Sequence, residues 1–218
     1  MTESRKIIFI LGGARSGKSA FALKEASKVS GEKAYIATAE ALDEEMKQRI
    51  ENHKRQRGDE WITFEEPVKI ADLIENIKDR YSVILLDCLT LWLSNAMRTG
   101  VNIETEIEYL ISSLATIHLS TNQPYFNKTV KIIPPHPPLL KGGRGDYQVI
   151  YIVSNEVGMG IVPENEMARK FRDMAGLLNQ KIAEVADEVY MVVAGIPIKI
   201  KEIKEKHDAG DIKKNNTY

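Results

Sequence analysis

The sequence predicts an α/β fold in which a mainly parallel sheet carries helices on both faces. Two observations point to it. Short, continuous apolar runs alternate with stretches of helical periodicity along most of the 218 residues, as expected of strand–helix–strand units whose strands are buried on both sides. The turn Gly12-Gly13-Ala14-Arg15-Ser16-Gly17-Lys18-Ser19 joins the first apolar run to the first helical stretch. It fits G-x-x-x-x-G-K-[ST] in the context that this motif requires, after a buried strand and before a helix. The fold class is therefore of the P-loop NTPase type.

The elements follow in order. Ile7 to Leu11 reads as a buried strand, and Lys18 to about Val29 as a helix. Ala34 to Ala37 is the second strand. Glu40 to Arg57 is helical, with Leu42, Met46, Ile50 and His53 on one face. Ile62 to Phe64 forms a short strand. Val68 to Lys78 is a helix with Ile70, Leu73, Ile74 and Ile77 in phase. Val83 to Asp87 is a buried strand, and helices follow around Leu89–Met97 and Ile103–His118. Val149 to Val153 is a strand. Pro163 marks the start of a helix whose apolar stripe is Met167, Phe171, Met174, Leu178 and Ile182. Val189 to Val193 is a strand, with an edge strand at Ile196 to Ile200.

One domain over 1–200 accounts for these elements. It is interrupted at 120–146, where Pro134-Pro135-His136-Pro137-Pro138 and Gly142-Gly143-Arg144-Gly145 belong to a polar stretch that cannot bury a core. That stretch is expected to be a flexible insertion, and 201–218 a charged, frayed tail. The 30 basic and 31 acidic residues nearly cancel, so neither nucleic acid nor an anionic membrane is the expected main partner. No apolar run reaches the length of a membrane span, and the opening apolar run is too short for a signal segment. Cys88 is the single cysteine, which excludes an internal disulfide. The expected location is the cytoplasm. His118, His136 and His207 are given no role, and Trp61 and Trp92 are expected in the core or at an interface.

Four patterns carry chemistry. In the glycine-rich turn, backbone N–H groups converge on an anion and the helix start adds partial positive charge. Lys18 addresses the β and γ phosphates of a nucleoside triphosphate, and the Ser19 hydroxyl is placed to ligate Mg²⁺. Asp87, ending an apolar strand downstream, is suited to the same metal shell; the competing reading is a helix cap before Leu89. On the helix ending at Arg57, Arg49, His53 and Arg57 recur at i, i+4, i+8. Flanking guanidinium groups favour a neutral imidazole able to attack phosphorus, although spacing alone favours a merely packed histidine. Ser154 to Gly160 follows a strand at the sheet edge where α/β proteins bind ligands, and is equally readable as an ordinary connection.

Taken together and in order, these motifs resemble the bifunctional adenosylcobinamide kinase / adenosylcobinamide-phosphate guanylyltransferase family of cobalamin biosynthesis. The resemblance rests on Gly12 to Ser19, Tyr35 to Ala39, Leu42 to Met46, Arg49 to Lys54, Trp61 to Pro67, Asp87 to Thr90, Ser154 to Pro163, and Ala194 to Pro197. It implies two reactions, phosphorylation of the corrinoid adenosylcobinamide by ATP or GTP, and transfer of GMP from GTP to adenosylcobinamide phosphate through a histidine. By position that histidine is His53, with Lys18 as its catalytic partner at the phosphates. Nucleotide contacts implied by the resemblance fall on Gly12, Gly13, Ala14, Arg15, Ser16, Gly17, Lys18 and Ser19. They continue on Ala37, Thr38, Ala39, Lys54, Arg55, Gln56, Arg57, Glu65 and Asp87. Mg²⁺ would be held by Ser19 and Asp87, and the assembly would be a homotrimer. The 120–146 insertion departs from the family pattern but spares every matched motif. Two other readings stay open: a different small-molecule kinase without the nucleotidyl step, and a nucleotide-dependent switch or binding module.

Overall fold

The computed structural model describes residues 4–118 and 147–202. The expected insertion at 120–146, His136, His207 and the chain beyond 202 lie outside these residues. Strands β1 (Ser4–Gly12), β2 (Lys33–Ala37), β3 (Trp61–Glu65), β4 (Val83–Asp87), β5 (Tyr147–Asn155), β6 (Glu188–Val193) and β7 (Ile196–Glu202) form one sheet in the order β3-β2-β4-β5-β1-β6-β7. Every pairing is parallel except the β6–β7 hairpin. The helices are α1 (Lys18–Ser27), α2 (Glu44–Arg57), α3 (Ile70–Ile77), α4 (Leu89–Thr99), α5 (Ile103–Ala115) and α6 (Glu166–Val185), with a 3₁₀ turn at Thr116–His118.

Side chains on a strand alternate between faces, so a continuous apolar run is explained only by cover on both sides. That is the case here. Ile7, Phe9 and Leu11 of β1 join one buried cluster with α3, α4, α5 and α6, whereas Ile8 and Ile10 join another with Ala22 and Ala26 of α1. Trp61 and Trp92 are buried in these clusters, as expected.

Of the boundaries that differ from the sequence reading, three have a side-chain cause. Helix α2 begins at Glu44, not Glu40, because the Asp43 side chain accepts a hydrogen bond from the Met46 N–H at 2.7 Å and so supplies the N-cap. Leu42 is left outside the helix, exposed rather than on its apolar face. Helix α6 likewise begins at Glu166, not Pro163. Asn165 caps it by accepting from the Ala168 N–H at 3.1 Å, and Met167 points to solvent at 73 % exposure instead of starting the apolar stripe. At the other end, β7 runs to Glu202, past the expected domain end at 200. Lys201 Nζ fastens it there by donating to the carbonyls of Ala183 and Glu184 at 2.7 and 2.9 Å.

The register brings the strand ends that matter to one edge. Gly12 lies opposite Asn155, Ala37 opposite both Glu65 and Asp87, and Asp87 opposite Val153. This is the carboxyl edge of the parallel strands, beside the crossover where open α/β sheets bind ligands.

Candidate active site

The turn between β1 and α1 is built by backbone conformation. Arg15 and Gly17 adopt left-handed φ values of 57° and 92°. The Ser16 N–H closes onto the Gly13 carbonyl at 3.2 Å, and the Gly195 N–H of the β6–β7 turn donates to the Ser16 carbonyl at 2.9 Å. Gly12 allows no side chain: a Cβ there would lie 2.6 Å from the Val192 carbonyl oxygen and collide with Ser16 Oγ. Helix α1 has neither a side-chain N-cap nor an acidic residue in its first turn. Its first N–H groups and the positive end of its dipole are thus uncompensated by the protein, as suits an anionic ligand. Lys18 is buried beneath the turn, with Nζ donating to the Gly13 carbonyl at 3.1 Å. Burial pulls its ammonium below the ordinary lysine range, and the Asp87 carboxylate opposes that shift.

A cleft of about 640 Å³, counted out to open solvent, lies over this turn. It brings together Lys18 and Ser19 from α1, Ala37 at the end of β2 and Ala39 beyond it, Arg49, His53 and Arg57 from α2, and Asp87 from β4. The histidine expected to attack phosphorus and the lysine expected to hold phosphates therefore share one cavity in one chain. Met46, Ile50 and His53, read from sequence as a core-facing stripe, are half-buried and face this cleft; of α2's residues whose burial is described, only Arg57 is fully buried. His53 is held below the ordinary histidine range, chiefly by burial. Asp87 pushes the other way, and Arg49, Arg57 and Lys18 reinforce the depression. The direction matches the sequence expectation, but the leading cause is desolvation rather than the flanking arginines.

Asp87 is oriented by Tyr35, whose hydroxyl donates to Oδ2 at 3.0 Å. The Arg57 guanidinium stacks on the same Tyr35 ring at 3.7 Å from its centroid. This contact ties the carboxyl end of α2 to the sheet. Burial, followed by the Asp87 charge, raises Tyr35 well above the ordinary phenol range, so it stays a hydrogen-bond donor. Among the described residues no group of three or more His, Cys, Asp or Glu side chains could enclose a metal. Ser19 and Asp87 together offer few oxygens. That donor set fits an ion such as Mg²⁺, which keeps waters and takes phosphate oxygens, rather than one needing an all-protein cage.

Other residues singled out from sequence fall elsewhere. Thr38 is fully buried; its hydroxyl donates to the Cys88 carbonyl and accepts from the Cys88 N–H, both at 2.8 Å. Its carbonyl accepts from Asn95 Nδ2 at 2.8 Å. It braces the β2 and β4 ends instead of facing the cleft. Lys54 and Glu65 pair with each other at 2.5 Å on the exposed side, and Arg55 donates to Asn52. None of these lines the cleft, and the Gln56 side chain lies outside the described set. Gly13, Ala14, Arg15 and Gly17 are exposed around the turn. Of Ser154 to Gly160, only Asn155 lines the cleft; Ser154 is buried with its hydroxyl 3.2 Å from that of Thr90. Tyr35, Cys88 and Leu91 line the cleft although no site role was read for them, and Asn155 was read only as part of the Ser154–Gly160 loop. Tyr35 was nonetheless visible as the polar side chain of a strand already identified.

Comparison with known proteins identifies the family. The family model described as cobinamide kinase / cobinamide phosphate guanyltransferase matches residues 8–126 and 139–200. The stretch it passes over lies within 120–146. The bifunctional adenosylcobalamin biosynthesis protein CobP of Pseudomonas aeruginosa is 37% identical over 194 residues, covering 88% of this chain and 95% of its own. The CobU proteins of Escherichia coli and Salmonella typhimurium are 36% and 38% identical, each over 89% of this chain and 99% of theirs. The chain belongs to the cobinamide kinase / cobinamide phosphate guanyltransferase family.

Proposed function

We propose that the protein is a bifunctional transferase of cobalamin biosynthesis. It phosphorylates adenosylcobinamide with ATP or GTP, then transfers GMP from GTP to adenosylcobinamide phosphate, giving adenosylcobinamide-GDP. The observation that carries this reading is the presence of His53, Lys18, Ser19 and Asp87 in one cleft at the sheet's carboxyl edge.

In the kinase step, Lys18 and the N–H groups of the Gly12–Ser19 turn hold the β and γ phosphates. The corrinoid hydroxyl oxygen bonds to the γ-phosphorus and its proton passes to water, while the bond to the β-phosphate oxygen breaks and the nucleoside diphosphate leaves. The chain's contribution is chiefly placement and fixed positive charge. In the guanylyl step, the neutral nitrogen of His53 bonds to the α-phosphorus and pyrophosphate leaves. A phosphate oxygen of the corrinoid then bonds to that phosphorus and the nitrogen–phosphorus bond breaks, which returns the imidazole. The covalent intermediate divides one difficult transfer into two. The Ser19 hydroxyl and the carboxylate of Asp87 would hold Mg²⁺, which when bound neutralises charge on the phosphates.

We place the enzyme in the cytoplasm as a homotrimer. No helix of the described residues is long and apolar enough to cross a membrane. Val193, Ile196, Ile198 and Ile200 leave an apolar face exposed at the β7 edge, of the kind that subunit contacts cover. Two variants test the division of labour. His53→Ala should keep phosphorylation of adenosylcobinamide and lose GMP transfer, whereas Lys18→Ala should lose both. Undiminished GMP transfer by His53→Ala would refute the covalent route.

A further inference from the structure

Asn155 is fixed at the cleft from three directions. Its N–H donates to Thr90 Oγ1 of α4 at 2.7 Å, and its carbonyl accepts from Asn179 Nδ2 of α6 at 3.2 Å. The next N–H, that of Glu156, donates to the Gly12 carbonyl at 3.0 Å, at the start of the phosphate turn. Thr90 and Asn179 are buried, and Asn179 Oδ1 has no partner among the described residues. Burying polar groups is unfavourable unless they are paired. Two helices on the same face of the sheet thus bury polar side chains to fix the backbone of one residue. Asn155 lines the cleft, and its carboxamide makes no hydrogen bond among the described residues.

Its place in the sheet says which part of a nucleotide it would meet. Strand β5 lies between β4, which ends in Asp87, and β1, which runs into Lys18 and Ser19. Asn155 therefore sits between the strand end that carries Asp87 and the turn that carries Lys18 and Ser19, the residues suited to the terminal phosphates and Mg²⁺. His53 enters from α2, which joins the two strands on the far side of β4. Most of the polar cleft side chains around Asn155 carry charge or, like Tyr35, already have a partner. A neutral amide offers two donors and an acceptor on one rigid plane.

We propose that Asn155 is a catalytic residue of the phosphoryl-transfer step. Its Nδ2 donates to an oxygen of the terminal phosphate. Its Oδ1 accepts from the incoming hydroxyl, aligning that oxygen with phosphorus. An amide is no base at neutral pH, so it orients the hydroxyl without removing its proton. The proposal rests on the kinase-and-transferase reading and divides the cleft by step: Asn155 serves γ-phosphoryl transfer, and His53 serves attack at the α-phosphorus.

The test measures both steps on the full chain. Wild type, Asn155→Ala and Asn155→Asp are assayed for phosphorylation of adenosylcobinamide with ATP, and separately for single-turnover labelling of His53 by α-labelled GTP without corrinoid. The thermal midpoint reports folding of each variant. For Asn155→Ala the kinase kcat should fall by about 100-fold or more, as expected when one fixed donor to a transition state is removed. The rate of labelling, in which His53 attacks the α-phosphorus, should fall much less than the kinase kcat. Asn155→Asp keeps the shape but sets a carboxylate against phosphate, so its kinase loss should equal or exceed that of alanine. A purely structural role would make the isosteric Asp the milder change. Equal loss in both steps, an unchanged kinase rate, or Asp milder than Ala would each overturn the proposal. If the wild-type protein labels His53 but phosphorylates no adenosylcobinamide, the kinase reading itself falls and the assignment falls with it.

Discussion

Thr38→Val separates bracing of the cleft from contact with nucleotide. Valine nearly matches threonine in volume, so the substitution opens no cavity and removes only the hydroxyl. That hydroxyl donates to the Cys88 carbonyl and accepts from the Cys88 N–H, both at 2.8 Å and fully buried. The carbonyl keeps a second partner in the Trp92 N–H at 3.2 Å. The orphaned group is therefore the Cys88 N–H. Losing two hydrogen bonds at about 1 kcal/mol each, plus a penalty of about 1–3 kcal/mol for one unpaired buried donor, sums to about 3–5 kcal/mol. For a domain of this size that lowers the thermal midpoint by about 6–20 °C. The loss is a large share of a typical total stability of about 5–15 kcal/mol. The assay is urea or thermal unfolding without nucleotide, with Thr38→Ser as the control that keeps the hydroxyl. Serine should lose only the buried methyl, about 1 kcal/mol. A Thr38→Val protein as stable as wild type without ligand, yet impaired in nucleotide binding, would show that the brace is unimportant and that the hydroxyl serves the ligand.

Gly12→Ala should destabilise the fold by at least about 1–3 kcal/mol, since the new methyl meets the Val192 carbonyl at 2.6 Å and overpacks a tight junction. Nucleotide affinity should fall with it, and unchanged unfolding and binding would contradict the packing described. Labelling of His53 should be pH-dependent. The reactive form is the neutral imidazole, and burial lowers its pKa below the ordinary value of about 6.5. The rate should therefore fall at acid pH and be flat by neutral pH. Arg49→Gln removes a cation that disfavours imidazolium, so the acid limb should move to higher pH. A limb moving to lower pH in the single-turnover profile would refute that electrostatic account.

Much of the fold was legible because the strands are buried on both faces. Val83 to Asp87 was read to the residue, since such a strand is a bare apolar run ended by a charge. Helix starts were less visible. Asp43 and Asn165 are good caps by type, but residues earlier in the chain also suit a helical pattern, and only the side-chain bonds to Met46 and Ala168 decide between them.

The phosphate turn was readable because its chemistry is local in sequence. His53 was half-readable. Its stripe with Met46 and Ile50 marks a face, but periodicity does not say whether that face meets a core or a cleft. The role of Thr38 was hidden for a related reason. A hydroxyl in a matched stretch reads equally as ligand contact or brace until its partner, Cys88, is known from another strand end. Asn155 was obscured by its neighbours Ser154 and Glu156, which are as polar but stand outside the cleft lining.

The central claim is that one chain places a neutral imidazole over the phosphates held by its own glycine-rich turn. Mass spectrometry of the intact protein and its peptides after incubation with GTP and Mg²⁺ tests it most directly. The account predicts a single added GMP located on His53, absent from His53→Ala and much reduced in Lys18→Ala. A GMP adduct on another residue, or full labelling of Lys18→Ala, would contradict it.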